Sequence, residues 1–210
     1  MATSRTDFNE TWLNEMPSGL GSFETFDQIK YNINDLKKNN IPITDITDTL
    51  KKVDLNQSVY YWYEKNNVIL LAVELDKRQQ GWVVRLTGKN PMFRGKAPYA
   101  SDLYDAILKD NKHYSIRLLS DTQLSDEGHA IWKKLFMQGH KISIYDRSDP
   151  GKSFQTFNSI EDFDRYFRDD DTDFTRYQYV LAESKYMLSE TRGFFSTRRY
   201  RELSGLALED

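Results

Sequence analysis

The sequence predicts one α+β domain, a mixed sheet made of an antiparallel meander continued by strand–loop–helix–strand–helix–strand. Two observations carry the prediction. Three β-rich runs, residues 59–63, 68–75 and 82–87, follow one another across the short polar reversals 65–67 and 76–81, the pattern of an antiparallel meander. Helical and strand periodicities then alternate through residues 99–145, as in a chain whose helices pack on a sheet. With 210 residues, 39% hydrophobic and 29% charged, the chain can bury one core of that size.

Residues 1–22 are polar and carry Pro17, Gly19 and Gly21, so they read as an N-terminal arm with Trp12 and Leu13 as its one available anchor. Residues 23–190 read as the single domain and 191–210 as a basic, aromatic C-terminal tail. Ser22 caps a helix on which Phe23, Phe26, Ile29, Ile33 and Leu36 recur at helical spacing. Lys37 and Lys38 suit its negative end, and Asn39-Asn40 before Pro42 stop it. With Thr44 as a cap, a short second helix is expected over 45–52.

Of the three meander runs, 68–75 is nearly all apolar and is expected to be buried on both faces. The loop 88–98 feeds a helix over 99–108 with Leu103, Ile107 and Leu108 inward, and 115–119 is a short strand. Ser125 caps a helix carrying Ile131, Trp132, Leu135 and Phe136, closed by Gly139. Residues 142–145 form the next strand and 154–157 pair back. Ser159 caps a helical stretch through Phe163 and Tyr166, 169–173 is an acidic loop, and 177–182 is the last strand.

Composition removes several chemistries. Without cysteine there is no disulfide framework, thiolate metal site or cysteine nucleophile. His113, His129 and His140 are the three histidines and stand in no metal-ligand spacing, so no metal site is expected. A net charge of -3 supplies no global field for nucleic acid or anionic membrane. No apolar segment follows Met1 and none is long enough to span a bilayer, so the expected setting is cytoplasmic.

The chemically suggestive segment is strand 84–86, the loop Phe93-Arg94-Gly95-Lys96-Ala97, and the helix opening at Ala100-Ser101-Asp102. Amides at a helix start, with the helix dipole, favour an anion. Gly95 lets backbone come close to a phosphate, and Arg94 and Lys96 add charge. Read without any family, the same residues are a basic surface turn feeding a helix. In order and motif the segment resembles the GNAT superfamily of N-acyltransferases, whose fourth strand leads into a loop that cradles the pyrophosphate of acyl-CoA. Gly95 and Ala97 match that loop's pattern, whereas Met92 stands where a basic or amide residue belongs and Pro98 removes one donor.

The resemblance implies acetyl-CoA or another acyl-CoA as cofactor, held at Arg94, Gly95, Lys96 and Ala97. It implies that the strand edge at 82–86, ending at Leu86, pairs with the pantetheine arm, and that the acceptor is an amine of a protein or small molecule. A cofactor cleft would show as a splay between 82–86 and 115–119, and side chains filling it would favour an inactive form. Glu74 and Asp76, at the end of the middle run, lie where such enzymes often place a carboxylate base; their plain reading is a polar hairpin end. The family's acidic Tyr is matched by Trp132, whose indole is a far weaker acid and whose plain reading is a core anchor. Tyr145 is the tyrosine candidate for that step, with Tyr104 also near in sequence.

Two further readings stand beside the enzyme. One is a catalytically degenerate GNAT-like domain that binds a protein partner or itself. The polar arm and basic aromatic tail give the chain a texture similar to small accessory or structural proteins of tailed bacteriophages. The other is nucleic-acid binding through Arg192 to Arg201, which the acidic balance of the chain disfavours.

Overall fold

The structure, a computed structural model, describes residues 22–114, 116–121, 124–149, 154–167 and 176–182. The N-terminal arm up to residue 21, the acidic run 169–173 and the C-terminal tail lie outside these residues. Four helices and nine strands are described. The helices are α1 (Ser22–Lys38), α2 (Ala100–Asp110), α3 (Asp126–Met137) and α4 (Glu161–Phe167). The strands are β1 (Thr44–Asp45), β2 (Leu50–Asp54), β3 (Ser58–Lys65), β4 (Val68–Arg78), β5 (Gly81–Lys89), β6 (Leu118–Leu119), β7 (Ile142–Asp146), β8 (Gln155–Thr156) and β9 (Tyr177–Leu181). They form one open sheet in the order β1-β2-β3-β4-β5-β6-β9-β7-β8, antiparallel throughout except for the parallel pair β5/β6.

The meander forms as its sequence implies. Asn66 and Asn67, at φ 51° and 61°, make the two-residue turn between β3 and β4, because both centres of such a turn need positive φ and asparagine tolerates it. Successive residues of β3 and β4 then face opposite sides. Val53, Tyr60, Trp62, Ile69 and Ala72 meet Phe26, Ile29 and Ile33 of α1. Leu50, Val59, Tyr61, Leu71, Val73 and Leu75 join the larger core with Leu103 and Ile107 of α2, Trp132 and Leu135 of α3, and Phe163 of α4. The middle strand is therefore buried on both faces, and Trp132, 1% exposed, is a core anchor between the rings of Tyr104 and Tyr179.

The helix expected over 45–52 is instead β1, a turn and β2. The Thr47 hydroxyl accepts the Thr49 and Leu50 amides at 3.3 and 3.0 Å, and the Ile46 and Thr47 amides both donate to the Leu50 carbonyl. Leu50 and Val53, three apart, go to opposite faces and pair opposite Tyr63 and Tyr60 of β3. A sheet edge that buries two apolar residues overrides the local helical pattern.

Polar contacts lock the layers. The Tyr61 hydroxyl donates to Asp110 at 2.6 Å, Asn111 donates to Tyr61 at 2.8 Å, and Lys52 pairs with Asp110 at 3.1 Å, fixing the C-terminal end of α2 to β2 and β3. On the other face α1 crosses β5 at Gly88, where a Cβ would lie 2.6 Å from the Phe26 Cα. This close approach is what the missing side chain permits.

The sheet has one discontinuity. Strand β5 pairs with β4 along its whole length, but with β6 only through Trp82↔Leu118 and Val83↔Leu119. Gly81 allows that contact, since a Cβ there would meet Leu119 at 2.3 Å and the Arg117 carbonyl at 2.6 Å. Past Leu119 the chain turns to β9. The Ser120 amide donates to the Tyr179 carbonyl at 2.8 Å, its hydroxyl accepts the Tyr179 amide at 2.9 Å, and Gln178 donates to its carbonyl at 2.7 Å. Residues 84–89 of β5 thus have no partner strand on the β6 side among the described residues.

Substituting Gly88→Ala is expected to lower stability by about 1–3 kcal/mol in urea unfolding, because the added methyl meets helix backbone rather than a movable side chain. Unchanged stability would mean that α1 can lift from β5 at little cost.

Candidate functional site

Pairing of β4 with β5 steps from Glu74↔Leu86 to Leu75↔Val84, leaving Arg85 as the extra residue of a bulge. A bulge re-aims the side chains around it. Leu86 packs into the α1 cluster, and the Arg85 guanidinium reaches Asp76 at 3.0 Å. The bulge stands where β5 leaves β6, so it sets a charged side chain beside the gap between them.

Glu74 and Asp76 alternate on β4 and so share that face. The Glu74 carboxylate accepts from Asn32 of α1 at 3.2 Å and from the Tyr60 hydroxyl of β3. Burial pushes its pKa above the usual glutamate range; the Tyr60 and Asn32 hydrogen bonds and the Arg85 charge pull it back, while Asp76 raises it further. Tyr60 is itself driven well above the ordinary phenol range, first by burial and then by the Glu74 charge. Asp76 accepts from both Arg85 and Arg78 at 3.0 Å. Burial works against the Arg85 charge, but Asp76, Asp121 and Glu74 hold it in place. The structure thus brings Glu74 and Asp76 together, with Arg85, Tyr60 and Asn32 as neighbours. A carboxyl raised by burial is a stronger base than an ordinary glutamate.

Tyr145 is not part of this group. It lies on β7, four strands along the sheet order from β4, which at ~4.8 Å per step is about 19 Å away. It is 8% exposed, and its ring packs on Phe154 at 5.4 Å beside Leu119 and Val180. Tyr104 is nearer to β5: its hydroxyl lies 2.9 Å from the Thr87 hydroxyl, and burial pushes its pKa up to about 12.

At the C-terminal end of β5, Asn90 accepts the Met92 amide at 3.1 Å and starts a short 3₁₀ turn over Pro91–Phe93. The Phe93, Arg94 and Lys96 amides then bond to carbonyls inside the loop, and the Tyr99 amide donates to Asp102 at 2.8 Å. Arg94, Gly95, Lys96 and Ala97 are exposed, with Gly95 at φ 72°. Lys89 clips the loop by donating to the Lys96 carbonyl at 2.8 Å and to the Pro98 carbonyl, and burial lowers its pKa. The Tyr99 hydroxyl donates to the Gly95 carbonyl at 3.1 Å, and its ring lies 5.9 Å from the Lys89 ammonium and 4.8 Å from that of Lys134. Four cations, Lys89, Arg94, Lys96 and Lys134, therefore surround the start of α2.

The two groups lie on different sides of the sheet. The carboxylates share the α1 side, whereas the loop leads to α2 on the opposite side, and the parting of β5 and β6 lies between. Sequence reasoning missed Asn32, Tyr60, Arg85 and Lys89, whose roles depend on contacts between separate elements. Among the described residues no group of three or more His, Asp or Glu side chains is placed to hold a metal.

Because burial raises Glu74 in the folded chain, the folded state holds its proton to higher pH than the unfolded state does. The resulting stability is present below the ordinary glutamate range and is lost as pH rises through the folded midpoint. Glu74→Gln, which can still accept from Tyr60 and Asn32, is expected to remove this slope and to be more stable than wild type at neutral pH. Urea unfolding across acid and neutral pH checks it; a variant weaker than wild type at neutral pH would contradict it.

Compared with protein-family models, curated proteins and solved structures, the chain has no match.

Proposed function

We propose that this protein is an acyl-CoA-dependent N-acyltransferase on a GNAT-like frame, moving an acyl group to an amine of a protein or small molecule. The observation that carries the reading is the parting of β5 from β6 after Val83, with a cation-rich loop at its end and a raised carboxyl at its flank. The loop after β5 and the alternation of helix and strand from α2 to β7 support that frame, whereas the second helix expected before the meander is replaced by β1 and β2.

Acyl-CoA supplies the thioester. Arg94 and Lys96, exposed beside the N-terminus of α2, fit its phosphates, and the unpaired edge of β5 from residue 84, including Leu86, fits the amides of its pantetheine arm. On the α1 side, Glu74 would take the proton that the amine sheds as the N–C bond forms, with Arg85 and Asp76 fixing the field around Glu74. The thioester C–S bond would break in the same transfer, and CoA would leave as its thiolate, protonated from solvent. The scaffold acts mainly by positioning the reactants.

A second reading, a degenerate domain that binds a protein partner, is favoured by specific contacts. Trp132 occupies the position of the family's acidic tyrosine and is wholly packed. Tyr104, bonded to Thr87, fills the α2 side of β5, and the loop already satisfies several of its own amides.

Calorimetry with acetyl-CoA decides between the two. The acyltransferase reading expects saturable binding that weakens at least several-fold when Arg94 and Lys96 are both changed to Ala, and acyl transfer that Glu74→Gln reduces by about 10²-fold or more. A flat trace at millimolar acetyl-CoA with folded protein overturns it in favour of the second reading.

A further inference from the structure

We propose that Asn32 is a positioning residue for Glu74, holding the carboxylate beside the β5 bulge through a side-chain relay that begins at Gln28. The inference rests on the reading of Glu74 as the proton acceptor.

Gln28 and Asn32 stand four apart on α1 and so share one face of the helix. Gln28 Nε2 donates to Asn32 Oδ1 at 3.0 Å. That bond fixes which way the Asn32 amide is turned, because its oxygen is engaged along the helix and its nitrogen is left to face the sheet. Asn32 Nδ2 then donates to Glu74 Oε2 at 3.2 Å across 42 residues of sequence. Were the amide turned over, its oxygen would oppose the carboxylate and the contact would become repulsive.

The position of Asn32 in α1 makes the assignment specific. Asparagine is a weak helix former, and this one sits between Ile29 and Ile33, both fully buried against the sheet. A helix that only covered the sheet would gain from an apolar or strongly helix-forming residue there. The other groups facing Glu74 are Tyr60 from β3, Asp76 from β4 and Arg85 from β5, so Asn32 is the contribution of α1. Tyr60 and Asn32 hold the carboxylate from two elements, restricting its rotation and favouring its ionised form.

Carbon-13 NMR of labelled glutamate tests this, with Glu74→Gln assigning the signal. Asn32→Ala is expected to move the Glu74 titration midpoint upward by roughly half a pH unit or more, since one donor to the carboxylate is lost. The acid limb of the pH profile for acyl transfer from acetyl-CoA should move the same way. Gln28→Ala, which leaves both partners of the Asn32–Glu74 hydrogen bond in place, should shift both in the same direction by less, and it keeps the test open should Asn32→Ala not fold. A midpoint unmoved in the folded variants overturns the positioning role whatever the activity. A moved midpoint in a protein that transfers no acyl group supports the positioning role and overturns the acyltransferase reading.

Discussion

Strand β6 is the joint of the sheet, with a different neighbour on each of its two edges. Leu118 and Leu119 pair with β5 on one edge and with β9 on the other, and Ser120 then commits its amide, hydroxyl and carbonyl to β9. These three hydrogen bonds hold the buried end of β6 against β9, since each buried polar group left unmet costs about 1–3 kcal/mol. The gap beside β5 opens where the two β5/β6 pairs end. Gly81 is its counterpart at the other end, because only there can β5 come close enough to form the parallel seam at all. The sheet is thus closed at one point and open beyond it, with the Glu74 group on one face and the basic loop on the other.

On the α1 side, burying Glu74 beside Asp76 is unfavourable by itself, since two like charges share a partly desolvated face. The arrangement persists because Arg85 supplies the opposite charge and Tyr60 and Asn32 supply donors. The bulge is what permits this, for regular alternation would send Arg85 and Leu86 to opposite faces. A different balance holds for Glu64 near the end of α1. There too burial works against the charge, yet Lys37 and the Trp62 indole both donate to the carboxylate and hold it below the usual glutamate range. One strand pair therefore carries two carboxylates with opposite displacements. The difference is a direct ammonium partner at Glu64 and its absence among the contacts of Glu74.

Most elements were legible because their signals are local. The spacing of Phe26, Ile29 and Ile33, the Asn66-Asn67 turn, the apolar run of β4 and the Ser125 cap each act within a few residues. The stretch 45–52 misled because its decisive partner, β3, is not part of the local pattern. The candidate site was legible only in part. Glu74 and Asp76 were reachable as the carboxylates that close the apolar run, although β4 continues past them to Arg78, and Gly95 with its basic neighbours from the loop-to-helix transition. Asn32 and Tyr60 were not, since contacts between α1, β3 and β4 leave no periodic mark. Nor could the sequence reveal that Arg85 is the extra residue of the bulge, or that β9 lies between β6 and β7 and carries Tyr145 away from Glu74. Strand order is set by long-range pairing, which a single chain does not spell out.

The same seam divides the chain by sequence separation. From β2 to β5 every strand pairs with its immediate predecessor across a short reversal, whereas Leu118 finds its partner at Leu181. Closing a loop of that length costs entropy before any contact repays it, and topologies rich in such contacts assemble slowly. The meander is built from contacts between neighbouring strands, while the β6–β9–β7 half depends on a strand far along the chain. The opening beside β5 is therefore also a boundary between short-range and long-range pairing, spanned by two residues of parallel sheet.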